Sequence, residues 1–328
     1  LDPVTGLGEY YYKVFKRYTD TSGVVLLMAS NEVKIERPMY AFDFKWGVPG
    51  VADGQFDEPR GIDIYEENGE IKAVYVADHD NNRIQKFDMD GNLPSPPVNL
   101  SMPNPYGLTV ATNGDVYCTN LTEIHVFRAD GATDIWGDNP GEVVLNDAYS
   151  IAADGDPGKG TGYIYVTDFT TFSVLKLDAN GNQVSAIIPT DPDAVSLIYP
   201  TSVAVDPYGN VYVGVYFPTA TGTKTKILVF DSNGTQLRSW QVTNLPGTSN
   251  WGLDVDGRGN VYYADASGPA HRVIRYNSDG SLLEVFGGPP GSLDGEFVLP
   301  TGIAVTRNGD RFYVSDTGND RVQVFTPQ

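Results

Sequence analysis

Short segments in which apolar and polar residues alternate recur along the whole chain. RIQKF at 83–87 and RVQVF at 321–325 place every second side chain on one face, which is the period of a β-strand. Turns rich in Gly, Asn and Asp separate such segments. No long segment carries an apolar stripe with the 3.6-residue period of a helix, so the pattern predicts an all-β protein.

One unit of this pattern occurs six times. Each copy opens with a short apolar strand, passes a Gly turn into a strand of the Val-Tyr-Val type, and adds a third strand before another Gly turn. Spacings of 46, 43, 52, 50 and 50 residues between copies suit one four-stranded sheet per copy, stacked radially to bury both faces. The anchor residues that open the copies are Pro59, Pro105, Ala148, Pro200, Asn250 and Pro300.

The first and sixth copies carry a family resemblance. VYVADHDNNRIQKF from Val74 and FYVSDTGNDRVQVF from Phe312 resemble NHL repeats, and the resemblance extends over 39–328. It implies a six-bladed β-propeller. The sixth copy stops after its third strand, and MYAFDFKWG at Met39–Gly47 has the character of the missing outer strand. We therefore predict six four-stranded antiparallel blades at 38–328, closed by an N-terminal strand that completes the last blade.

The segment 1–37 does not fit the repeat. YYYKVFKRY (Tyr10–Tyr18) and MASNEVKI (Met28–Ile35) have strand patterns and resemble the last strands of a fibronectin type III module. Two strands alone are marginally stable in water. Three interpretations remain open: a fragment of a multi-module protein, a hairpin docked on the propeller, or strands added to a sheet in a neighbouring subunit.

Charge and cysteine content narrow the possible partners. The net charge of −20 repels phosphate backbones and anionic lipid surfaces, so we expect no nucleic-acid partner. No apolar run reaches 18 residues, so we expect no membrane insertion. Cys118 is the single cysteine, which excludes an intramolecular disulfide. The chain starts at Leu1 without Met, so we expect a processed product or a fragment.

The residue after each anchor is predicted to face the central opening of the ring. Three of these six residues are aromatic, one is cationic and none is a carboxylate. Aromatic rings stack on sugars or apolar groups and Arg60 can pair with a carboxylate, so the ring predicts a ligand site, or else side chains that plug the channel. The six candidate binding residues are Arg60, Tyr106, Tyr149, Thr201, Trp251 and Thr301.

Metal-dependent chemistry is not expected. Amidating lyases, which share the repeat, place His after the Pro anchor, whereas His79, His125 and His271 lie elsewhere and are not expected to converge. Calcium-dependent lactonase-type propellers need axial Glu, Asn and Asp, which this ring lacks. We therefore predict no metal, no cofactor and no catalytic residues. Three Asp–Arg pairs that flank one loop in different blades are predicted to be structural ion pairs: Asp78–Arg83, Asp265–Arg272 and Asp316–Arg321.

An insertion in the fourth copy is the second candidate contact site. GVYFPTATGTKTK at 214–226 carries Tyr216, Phe217, Lys224 and Lys226, and we interpret it as an exposed contact loop.

These observations favour a non-enzymatic binding module at the cell surface or outside the cell, with the periplasm as a further possibility. The partner would be a protein or a glycan on the face of the central ring, and other modules of the same polypeptide or neighbouring subunits are further candidates. The first alternative is a structural subunit of a surface assembly or filament with strand-mediated contacts. The second is a lyase or hydrolase that uses the central channel.

Overall fold

The computed structural model describes residues 9–19, 25–36, 39–136, 143–155, 162–242 and 250–328. The chain divides into two compact units, 1–41 with 327–328, and 42–326. In the first unit, β1 (Glu9–Thr19) and β2 (Val25–Glu36) pair as an antiparallel hairpin. No helix among the described residues is long and apolar enough to cross a membrane.

The remaining strands form six four-stranded antiparallel blades. In blades 1 to 5 the strands follow one another in chain order. Blade 1 consists of β4 (Pro59–Glu67), β5 (Glu70–Asp78), β6 (Arg83–Phe87) and β7 (Asn99–Ser101). Blade 2 consists of β8 (Leu108–Val110), β9 (Val116–Thr119), β10 (Ile124–Phe127) and β11 (Thr133–Trp136). Blade 3 consists of β12 (Ile151–Asp154), β13 (Tyr163–Asp168), β14 (Ser173–Leu177) and β15 (Gln183–Ile187).

The last three blades complete the ring. Blade 4 consists of β16 (Tyr199–Val205), β17 (Val211–Thr219), β18 (Gly222–Phe230) and β19 (Gln236–Gln241). Blade 5 consists of β20 (Asn250–Val255), β21 (Val261–Asp265), β22 (His271–Tyr276) and β23 (Leu282–Gly288). Blade 6 consists of β24 (Pro300–Val305), β25 (Phe312–Asp316), β26 (Arg321–Pro327) and β3 (Tyr40–Trp46). The predicted propeller and its closure by the N-terminal strand are therefore confirmed.

The apolar core lies between neighbouring blades. Tyr117 and Trp136 of blade 2, for example, pack in one buried cluster with Ile164 and Leu177 of blade 3. The same arrangement joins blades 3 and 4, and blades 4 and 5. Because each blade covers one face of the next, the hydrophobic stabilisation is distributed around the ring.

The three predicted Asp–Arg pairs are present. The Nε atom of the arginine lies 2.7 Å from the carboxylate in Asp78–Arg83 and in Asp316–Arg321, and 2.9 Å in Asp265–Arg272. All three aspartates are fully buried, and each pair joins the end of the second strand to the start of the third. These pairs hold the turn between the two strands, which agrees with the prediction that they are structural ion pairs.

A tryptophan on the outer strand of every second blade packs on a turn glycine of the following blade. Gly181 has φ +79°, and a Cβ added to it would lie 2.7 Å from the ring of Trp136. The three contacts are Trp46–Gly91, Trp136–Gly181 and Trp240–Gly280.

Because of this contact, adding one methyl group at the turn glycine should destabilise the protein. We expect Gly181→Ala to lower the free energy of unfolding by about 2 kcal/mol, because left-handed backbone strain adds to overpacking against Trp136. Gly131 occupies the same turn of blade 2 with φ +92° and has nothing within 4 Å of an added Cβ, so Gly131→Ala is a matched control. Urea denaturation should show about half the loss for the control; equal losses would mean that the tryptophan contact contributes nothing.

Candidate functional site

The channel along the axis has a different opening at each end. We name the face where the innermost strands begin the anchor face, and the face where they end the turn face. At the anchor face the channel holds a cavity of only about 50 Å³, and at the turn face one of about 240 Å³. The 50 Å³ cavity has room for one or two waters and for no sugar ring.

Four of the six predicted ring residues line the narrow cavity: Arg60, Tyr106, Tyr149 and Thr301. Thr201 does not, because its side chain is 2% exposed and its hydroxyl donates to the carbonyl of Gly214 at 3.1 Å. The side chain of Trp251 lies outside the described residues. The side chains at the centre of the anchor face therefore plug the channel.

Arg60 and Tyr106 form the centre of this plug. The guanidinium lies 4.5 Å from the centroid of the Tyr106 ring, and its Nη1 donates to the phenol oxygen at 2.8 Å. Nη2 also pairs with Glu58 at 2.6 Å. Burial raises the pKa of Tyr106 to about 12, so the phenol stays protonated at neutral pH. Arg60 is thus held in place before any ligand arrives.

Aromatic side chains form a continuous series away from this centre, across blades 2 to 4. The centroid of Tyr149 lies 5.3 Å from that of Tyr106 and 5.7 Å from that of Phe169. Phe169 lies 4.9 Å from Tyr199, which stacks on Tyr216 at 4.9 Å with 10° between the rings. We name this set the aromatic arc; its members are Tyr106, Tyr149, Phe169, Phe172, Tyr199 and Tyr216.

Most rings of the arc remain half-buried. Tyr106 alone falls below a tenth exposure, whereas the others keep an accessible edge or face. Burial raises the pKa of Tyr149, and the nearby Asp147 adds to the shift. Burial likewise raises the pKa of Tyr216, next to Tyr199. The phenols are therefore neutral hydrogen-bond donors at the edge of an apolar surface, which suits a contact site.

Two exposed aliphatic side chains lie in the segment that leads into Tyr199. Val195 is 63% exposed and Leu197 is 51% exposed, in the connection that precedes β16. The amide of Val195 donates to the carbonyl of Pro218 at 3.2 Å, which fixes this connection beside the hairpin that carries Tyr216. Exposed apolar side chains beside the hairpin that carries Tyr216 make this connection a candidate part of the site.

The predicted contact loop in blade 4 is corrected by the structure. Residues 214–226 belong to the hairpin of β17 and β18, and Phe217 is fully buried in the core between blades 3 and 4. Lys224 pairs with Asp193 at 2.9 Å, and Lys226 pairs with Asp191 at 2.7 Å, so the basic spot is neutralised locally. Of the four residues, Tyr216 joins the arc.

Two carboxylates in the channel near the turn face were not predicted. Asp63 accepts from the amide of Val110 at 2.7 Å, and Asp254 accepts from the amide of Val305 at 2.7 Å, so each joins its blade to the next one. Burial raises the pKa of Asp63 to about 6. Burial and the nearby Asp63 hold the pKa of Asp254 well above its ordinary value. The position that reveals them is the fifth of PRGIDI and NWGLDV, four residues beyond each anchor.

The three histidines lie in blades 1, 2 and 5, and they do not converge. His125 lies 3.3 Å from Glu123, and His271 accepts from the amide of Leu299 through Nδ1 at 2.9 Å. His79 differs, because its ring nitrogen and the carboxylates of Glu58 and Asp80 lie within 4.8 Å of one another. It is the one His- or carboxylate-based group among the described residues that is compact enough to hold a metal ion.

Comparisons with known proteins agree with this architecture. The family model for the NHL repeat matches residues 297–325. Protein brain tumor of Drosophila melanogaster is 27% identical over 156 residues, which are 45% of this chain and 14% of that protein. The part of the chain that matches therefore spans about one seventh of the length of this curated relative.

Solved structures with similar folds include enzymes and a protein of unknown function. Virginiamycin B lyase from Staphylococcus aureus aligns with a TM-score of 0.55 at 13% identity, over 88% of this chain and 100% of that chain. A gluconolactonase from Xanthomonas campestris aligns with a TM-score of 0.58 at 17% identity, over 84% of this chain and 87% of that chain. A protein of unknown function from Bacteroides thetaiotaomicron aligns with a TM-score of 0.61 at 12% identity, over 100% of this chain and 84% of that chain. At these identities the likeness shows the fold alone.

The matched repeat can be placed in the ring of blades. The family match covers the inner three strands of blade 6, and five further blades have the same strand order. The chain therefore carries an NHL repeat in blade 6 of a six-bladed β-propeller.

Proposed function

We propose that this propeller is a non-enzymatic binding module that holds a partner protein on its anchor face through the aromatic arc. The observation that carries the proposal is the unbroken series of half-buried rings from Tyr149 to Tyr216, which starts at the buried Tyr106. Tyrosine rings supply much of the energy of protein interfaces, because each presents a large rigid area with a polar tip.

A protein partner is favoured over a glycan by the shape and chemistry of the surface. The channel opening is too small to admit a sugar, so a ligand must lie across the rim. The rim continues into Val195 and Leu197, and aliphatic side chains of this exposure match apolar groups of a protein better than hydroxyls of a sugar. A glycan bound flat on the rings is the alternative that the experiment below separates.

We place this activity outside the cell or at the cell surface. Support comes from the resemblance of the β1 and β2 segments to late fibronectin type III strands, which are typical of modular surface proteins, and from the acidic charge of −20. In this proposal the hairpin belongs to a neighbouring module of the same polypeptide. A strand-mediated surface assembly is the alternative for the same hairpin.

Truncation of two rings tests the site. We expect Tyr149→Ala combined with Tyr199→Ala to weaken partner binding at least tenfold, because each ring lies near the middle of the arc. The control is Tyr208→Ala, which removes an 80% exposed ring from the turn face. The three proteins are immobilised and compared by affinity capture with mass spectrometry, then on a glycan array, and the affinity of a purified captured protein is measured by surface plasmon resonance.

The outcomes are distinct. A purified protein that binds the wild type and Tyr208→Ala with equal affinity, but the double variant at least tenfold more weakly, supports the proposal. Glycans bound with the same dependence would replace the protein partner by a sugar. Binding that all three proteins share equally would show that the aromatic arc is not the contact site.

A further inference from the structure

Three potential metal ligands meet at the edge of the anchor face, outside the aromatic arc. Glu58 directly precedes β4, whereas His79 and Asp80 lie in the turn between β5 and β6. One donor atom from each side chain lies within 4.8 Å of the other two. Donor atoms bound to one small metal ion lie about 3–4 Å apart, since each is about 2 Å from the metal, so only small side-chain rotations are needed.

The backbone that carries these side chains is already fixed. The amide of Asp80 donates to the carbonyl of Asp57 at 3.1 Å, which ties the turn to the segment before β4. The buried Asp78 accepts from the amide of Asp57 at 2.8 Å and from Asn81 at 3.0 Å. A rigid framework of this kind limits the entropy lost when an ion is bound.

The environment is open and negatively charged. Asp80 is 48% exposed and Glu58 is 47% exposed, which leaves a path for an ion, while the His79 ring packs edge-on against Tyr106 at 5.8 Å. The Nδ1 atom of His79 lies 2.6 Å from the carboxylate of Asp80. Asp320 adds another carboxylate, since its oxygen accepts from the amide of Glu58 at 2.9 Å.

One cation competes for this position. Nη2 of Arg60 lies 2.6 Å from one carboxylate oxygen of Glu58. Arg60 has a second set of contacts on Tyr106, through Nη1 and through its stacked plane, so it remains held if Glu58 turns away. Glu58 can therefore exchange its ion pair for a metal ion while Arg60 keeps its hydrogen bond to the Tyr106 phenol and its contact with that ring.

We propose that Glu58, His79 and Asp80 form a Zn²⁺ site at the rim of the anchor face. One imidazole and two carboxylates are ligands that Zn²⁺ accepts, and three protein ligands leave a position open for water or a partner group. Ca²⁺ takes oxygen ligands, so the histidine selects against it. The site stands apart from the proposed protein-binding role, because no residue of the aromatic arc is a ligand.

Isothermal titration of the full chain with ZnCl₂ tests the site. We expect one equivalent to bind, with no comparable binding of CaCl₂. His79→Ala should weaken Zn²⁺ binding at least tenfold, given that even residues that only orient ligands alter metal affinity by about 10- to 100-fold. Asp80→Asn, a conservative change at an exposed position, should also weaken it. The matched control is His125→Ala, which removes the histidine beside Glu123 in blade 2 and should leave the affinity unchanged.

Arg60→Gln supplies a result in the opposite direction. Because Arg60 competes for Glu58, its removal should raise the affinity for Zn²⁺ several-fold, which loss of folding cannot imitate. Thermal melts of each variant without metal report whether the fold is kept. The proposal is overturned if the wild type binds less than about half an equivalent of Zn²⁺, if His125→Ala loses as much affinity as His79→Ala, or if Arg60→Gln binds no more tightly than the wild type.

Discussion

Replacing Asp316 by Ala is expected to lower the free energy of unfolding by about 3–5 kcal/mol. The carboxylate is fully buried and accepts from Arg321 at 2.7 Å, from Gln323 at 3.0 Å and from the amide of Val298 at 2.7 Å. Its removal leaves the Arg321 charge buried without its counter-ion, and a loss of this size is typical of a broken buried pair. Chemical denaturation monitored by tryptophan fluorescence measures it.

A surface pair supplies the control for this prediction. Asp90, which is 60% exposed, lies 3.6 Å from Arg311, and Asp90→Ala should cost less than about 1 kcal/mol. Adding Arg321→Met to Asp316→Ala should recover part of the loss, because the unpaired charge is then gone. A loss below about 1 kcal/mol for Asp316→Ala alone would contradict the structural role given to the pair.

The second large effect is a dependence of stability on pH that originates in the channel. Burial raises the pKa of Asp63 to about 6, so the folded protein holds this proton more tightly than the unfolded chain does. The stabilisation from the proton is complete below about pH 4 and is lost as the pH rises through about 6. The wild type therefore loses this stabilisation as the pH rises, whereas Asp63→Asn has no such proton to lose. From about pH 4 to about pH 8, the difference in unfolding free energy between the variant and the wild type should shift by about 3 kcal/mol in favour of the variant.

Urea denaturation at several pH values between these limits measures the gain. The neutral amide can still accept from the amide of Val110 through its oxygen, so the variant should fold. Asp130→Asn, in an exposed turn, serves as the control. Its free energy of unfolding should change with pH in the same way as that of the wild type. Parallel curves for Asp63→Asn and wild type would show that burial in the channel does not penalise the charged carboxylate.

The blades could be predicted from sequence because their signal is local. The alternation in RIQKF and RVQVF places side chains on two faces whatever surrounds them, and the turn glycines recur at the same offsets. Closure of the ring could also be predicted, since the sixth copy lacks a strand that Met39–Gly47 supplies. The predicted exposure was wrong for Phe217, because alternation continues along β17 and directs that ring inward, whereas 220–223 at the tip of the hairpin are exposed.

The candidate site was less predictable because its members come together only in three dimensions. Phe169 follows β13, Tyr199 begins β16 and Tyr216 lies on β17, and no spacing in the sequence predicts their contacts. His79 reaches Glu58 because the turn after β5 bonds to the segment before β4. Asp63 and Asp254 were not predicted either. They lie three positions beyond the residue that follows each anchor, so the predicted ring did not include them.

The closing strand determines how the propeller would respond to a pulling force. β3 and β26 are antiparallel neighbours, and the amide of Gln328 donates to the carbonyl of Met39 at 2.8 Å, so the start of β3 and the end of β26 lie side by side. Tension applied between these two chain positions loads the hydrogen bonds between β3 and β26 one at a time, starting at this end of the strand pair. Each bond then breaks without support from the others. Blade 6 would therefore open first and at low force, while the other five blades carry no load.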